Sequence, residues 1–93
     1  MSIQAEGAFQ DASLSAHEMW RDGRMVLRLR TYANLNGFTV MSEVYAANQP
    51  PGTAPVQRPF AFGTIDQARR FTDEALTAFE YLNCTTTPPE PPL

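Results

Sequence analysis

Asp22-Gly23-Arg24-Met25-Val26-Leu27-Arg28-Leu29-Arg30-Thr31-Tyr32-Ala33-Asn34-Leu35-Asn36-Gly37 is the stretch that decides the fold. Asp-Gly and Asn-Gly are the dipeptides that tight type I′ hairpin turns demand, because both central residues need positive φ. The residues between them alternate apolar and polar side chains, the period of a strand with one buried face. The segment therefore reads as the shared strand of two consecutive hairpins.

Two-residue loops at both turns fix a register. The first hairpin then sets Trp20 opposite Met25, Glu18 opposite Leu27, Ala16 opposite Leu29 and Leu14 opposite Thr31. The second sets Leu35 opposite Phe38, Ala33 opposite Val40, Leu29 opposite Val44 and Leu27 opposite Ala46. One face then collects Leu14, Ala16, Trp20, Met25, Leu27, Leu29, Phe38, Val40, Val44 and Ala46. The other collects Ser15, His17, Met19, Arg21, Arg24, Arg28, Arg30, Tyr32, Met41, Glu43 and Tyr45, with Arg30 opposite Glu43 and Arg28 opposite Tyr45. A one-residue slip would mix the faces, so the pattern supports the pairing. Glu18 is the misfit on the apolar face: it lies at the sheet margin in water, or the first strand bulges there.

Working outward, a proline-rich loop over residues 48–55 leads to Val56–Phe62, where Pro59 restricts the segment to a sheet edge or a strand's start. Thr64-Ile65-Asp66-Gln67 is a capping box that opens a helix. Ala68, Phe71, Ala75, Phe79 and Leu82 recur at three- and four-residue steps as its apolar stripe, and Asn83 is its stop. The expected fold is α+β: an antiparallel β-meander of three to four strands with one C-terminal amphipathic helix packed on one face. Residues 12–84 form one domain, residues 1–11 an N-terminal arm or edge strand, and residues 85–93 a proline-rich disordered tail.

The chain's 93 residues, 43% hydrophobic and 18% charged, suit one small globular domain. A net charge of −3 argues against coating nucleic acid or anionic membrane by bulk charge. Cys84 is the single cysteine, the N-terminal residues have no signal-peptide pattern, and no apolar run spans a bilayer. The expected setting is the cytoplasm.

Catalytic signals are absent from the pattern. His17, the single histidine, projects among arginines with no carboxylate to orient it, and reads as a solvated surface group. Cys84 follows the helix C-terminus, where the dipole disfavours a thiolate. One His and one Cys do not make a structural zinc site, and Phe62-Gly63-Thr64 is no phosphate loop. No enzyme, metal, cofactor or small-molecule substrate is expected.

The feature with functional content is the face away from the helix. All seven basic residues are arginine, and Arg21, Arg24, Arg28 and Arg30 fall on that face with Tyr32 and Tyr45. Four arginines oppose one glutamate there, on a chain whose total charge is −3. The expectation is a non-enzymatic binding or assembly module that forms a homodimer, since small domains gain core by pairing. The alternative is nucleic-acid or polyanion binding, because guanidinium groups fork onto phosphates and tyrosines stack on bases. The meander-then-helix layout is similar, in topology alone, to that of several DNA-reading modules, including the AP2-type sheet readers and the single-strand-binding whirly proteins, without a motif of either family.

Overall fold

Asp22 and Gly23 both take positive φ, 53° and 77°, and leave Arg21 and Arg24 as direct partners across the expected two-residue turn. This computed structural model describes residues 13–46, 48–50 and 52–86. The expected N-terminal arm, and the tail beyond Thr86, lie outside the described residues. Four antiparallel strands, β1 (Ser15–Arg21), β2 (Arg24–Asn34), β3 (Gly37–Val44) and β4 (Val56–Phe62), form one open sheet in chain order. One helix, α1 (Ile65–Glu80), follows and packs on one face, so the architecture is α+β.

The second turn departs from the expectation. Asn34 and Gly37 are partners, so the loop is Leu35–Asn36, not Asn36–Gly37. The Asn34 side chain stabilises this loop, accepting from the Asn36 amide at 2.9 Å and donating to the Thr39 hydroxyl at 2.7 Å. Each β2 residue consequently meets a β3 residue two positions earlier than expected: Leu27 faces Val44, Leu29 faces Ser42 and Arg28 faces Glu43. An even displacement leaves the faces intact. Gly37 is required for a different reason than the turn. Its φ is 144°, and a Cβ there would lie 2.3 Å from the Phe62 carbonyl oxygen on β4.

In the first hairpin the register breaks between Met19 and Trp20. Trp20 faces Met25 as expected, but Met19 then faces Leu27, leaving Val26 as the extra residue of a bulge. Beyond it Glu18 faces Arg28, His17 faces Leu29 and Ala16 faces Arg30. This odd slip exchanges the faces of β1. Met19, expected on the polar face, is fully buried in the core, and Ala16, expected on the apolar face, is exposed. Of the two explanations for Glu18, the bulge holds, and it delivers the carboxylate to Arg28.

The helix opens as its sequence dictates. Thr64 accepts from the Gln67 amide at 3.2 Å, while Gln67 Oε1 accepts from the Thr64 and Gly63 amides at 3.3 and 3.1 Å. Phe71 inserts between Phe60 and Phe62, its ring centroid 4.7 and 5.3 Å from theirs. Asn83 takes positive φ of 67° and turns the chain out of the helix, and the Cys84 amide returns to the Phe79 carbonyl at 3.1 Å. Leu82, expected on the apolar stripe, lies past the last turn and is more than half exposed, whereas Thr72 joins Ala68 in the buried set.

Thr85 then bonds both ways with Trp20, at 2.7 and 2.8 Å, on the free edge of β1. The helix thus runs from the corner of Phe38 and Phe62 to that of Trp20, crossing the sheet on a diagonal. Met19, Leu27, Leu29, Val40, Ala68 and Cys84 form the core beneath it. The corner off the diagonal is less covered: Val44, expected inside, is 38% exposed beside its partner Val56.

Candidate functional site

The face away from the helix is built around Glu43. As the β3 partner of both Arg28 on β2 and Gln57 on β4, it sits at the middle of the sheet. Arg30 Nη2 donates to Glu43 Oε1 at 2.9 Å, and Gln57 Nε2 donates to Oε2 at 2.9 Å. Arg28 adds ion pairs on both sides, to Glu43 at 3.7 Å and to Glu18 at 3.6 Å. Its Nη2 also approaches Met25 Sδ at 3.8 Å, which places Met25 on this face. The Glu43 side chain is only 7% exposed, although no helix among the described residues lies on this face, and the Arg30 and Arg28 side chains that pair with it are 25% and 31% exposed. Two arginines and two glutamates balance, so the centre of this face is electrically neutral.

The six expected binding residues therefore do not form one patch. Arg28 and Arg30 are engaged with Glu18 and Glu43. Tyr32 lies toward the opposite end of the sheet, opposite Thr39. Arg21, Arg24 and Tyr45 gather instead at the β1–β2 turn, where they line a hollow of about 300 Å³ with Asp22, Met25, Val26 and Ala46. The expectation of four arginines on one face fails at the bulge, which breaks the alternation between Arg24 and Arg28. Within the hollow, Arg21 Nε stands 3.9 Å from Asp22 Oδ2, both side chains more than half exposed. The Tyr45 amide donates to the Val26 carbonyl at 2.9 Å, fixing its backbone against β2 just past the last ladder pair.

Glu18 was not foreseen as a partner of Arg28, nor Gln57 as a partner of Glu43. Glu18 carried a signal, since a carboxylate on an apolar face asks for a bulge; Gln57 carried none, because the long loop before β4 leaves its register open. His17 is exposed on β1 opposite Leu29, and Cys84 is buried with its thiol 3.9 Å from the Leu82 carbonyl. Among the described residues no group of three or more His, Cys, Asp or Glu side chains is arranged to hold a metal. No helix among them is long and apolar enough to cross a membrane. Comparison of the chain with protein-family models, characterised proteins and solved structures gives no match.

Proposed function

We propose that this chain is a non-enzymatic assembly module that pairs with a second copy of itself through the sheet face opposite the helix. The observation that carries this reading is the neutral centre around Glu43. Bare arginines packed against their own copies would repel. Arginines already paired with Glu18 and Glu43 leave a flat surface with no net charge, flanked by Met25, Met41, Tyr32 and Tyr45. A two-fold axis through such a face brings each copy's arginines near the other's glutamates. Four strands about 4.8 Å apart, paired over about seven residues at about 3.4 Å each, cover about 19 by 24 Å. That is small for a stable interface, so association in the micromolar range is expected.

The same pairing weighs against polyanion binding across the whole face, because Arg28 and Arg30 would have to leave their carboxylates. A cytoplasmic setting fits the single buried thiol. Sedimentation across a concentration series tests the dimer: mass should rise from 10.4 kDa toward twice that value. Met41→Glu, which places a charge on the face, should hold the protein monomeric with unchanged circular dichroism. A 10.4 kDa species at the highest concentration, or a dimer untouched by Met41→Glu, would sink the proposal.

A further inference from the structure

We propose that the outer edge of β1 beside Ala16 and Glu18 is a strand-docking site, and that its occupant is the chain's own segment Thr87-Pro88-Pro89, which continues the Thr85 bridge. Its bonds run in the plane of the sheet and not over the open face, so docking does not depend on the dimer proposed above. Thr85 already makes a complete pair with Trp20. The Trp20 amide donates to the Thr85 carbonyl at 2.7 Å, and the Thr85 amide donates to the Trp20 carbonyl at 2.8 Å. The pairing is antiparallel, so the chain leaves Thr85 heading back along β1 toward Ser15. In an antiparallel ladder every second residue exchanges both bonds with one neighbour. Glu18 and Ala16 therefore turn their amides and carbonyls to the same outer side as Trp20. Among the described residues no backbone group bonds to them there. Ala16 and His17 are exposed, and a hollow of about 280 Å³ bounded by Ala16, His17, Glu18 and Thr86 lies on this course.

The sequence beyond Thr86 suits those open groups position by position. Carried on from the Trp20–Thr85 pair, the register sets Thr87 opposite Glu18, where an amide and a carbonyl are both needed and Thr87 has both. Threonine is also among the residues that favour strands. Pro88 falls opposite His17, at a position whose amide would point away from β1, so its missing donor costs no ladder bond. Pro89 falls opposite Ala16, whose amide it accepts while returning none, and this ends the ladder. With Pro88 on the outside, the new edge offers no amide there to a further strand.

NMR of the isotope-labelled full chain tests this through amide hydrogen exchange and nuclear Overhauser contacts. The α-protons of His17 and Pro88 should give a cross-peak, since those residues form the closely spaced, non-bonded pair of the register. Deleting residues 87–93 leaves the Thr85 bridge in place and should speed exchange of the Glu18 amide about fivefold to tenfold, the loss expected for one edge hydrogen bond. The Val40 amide at the centre of the sheet should be unchanged, which confirms that the shortened chain folds. Thr87→Pro removes the one donor that the segment offers β1 and should speed Glu18 to the same extent. Equal Glu18 exchange in the full and shortened chains overturns the proposal, and so does a missing cross-peak in the full chain. Protection of Glu18 that grows with protein concentration assigns the edge to a second copy and overturns docking within one chain.

Discussion

Glu43 is the residue on which the uncovered face turns. A carboxylate with 7% of its side chain exposed, on the sheet face opposite the described helix, is held there by Arg28, Arg30 and Gln57. Removing it leaves Arg30 without its carboxylate and Arg28 with Glu18 alone, and the Nε atoms of both are already enclosed without a hydrogen bond. A fully buried broken pair costs several kcal/mol. Both arginines keep a quarter or more of their surface in water, so Glu43→Ala should cost less, about 2 kcal/mol by urea unfolding. Glu43→Gln keeps one acceptor and should cost about half as much. An unchanged midpoint for Glu43→Ala would mean that the network contributes neutrality without stability. Position and partner were partly legible here: Arg30 was expected beside Glu43, and it donates to it, although diagonally, since its partner in the register is Met41.

At the scale of elements, β1 carries the lesson. Its apolar and polar residues admit two registers against β2, and hairpin logic chose the one without a bulge. That choice put Met19 in solvent, whereas the sheet buries it completely against the core. Met19→Ala should therefore destabilise by about 2–4 kcal/mol, as deletion of a core methionine does, while a surface position would tolerate the change. Thermal unfolding decides between these. What was legible follows from local chemistry: the Asp22-Gly23 turn, the Thr64–Gln67 box and the Asn83 stop each depend on residues within a few positions. The remainder was not. The bulge depends on packing Met19 under a helix encoded some fifty residues later, and the place of Gly37 depends on Phe62 of a strand beyond a long loop. The candidate site inherits that limit, because one extra residue at Val26 divides the arginines into two pairs with different surroundings.

For the whole molecule, the two sheet edges are closed by different means. Thr85 occupies part of the β1 edge, and Pro59 sits mid-strand in β4, where it offers no amide to an incoming strand. If the dimer forms through the face, β4 must be kept from recruiting copies edge to edge. Pro59→Val should restore a donor at the centre of that edge and produce species larger than a dimer, visible as concentration-dependent light scattering. Equal scattering by both proteins would show that the proline guards nothing. The Trp20–Thr85 bridge has a consequence in time as well as space. The sheet can be laid down hairpin by hairpin as the chain leaves the ribosome, since every strand pairs with its predecessor. The first strand is fastened on its outer side only when Thr85 emerges, after the helix has been made. Until then Met19 has no lid, so the nascent meander is a half-built sheet with its oily side open, and the last steps of folding fall after synthesis of the helix is complete.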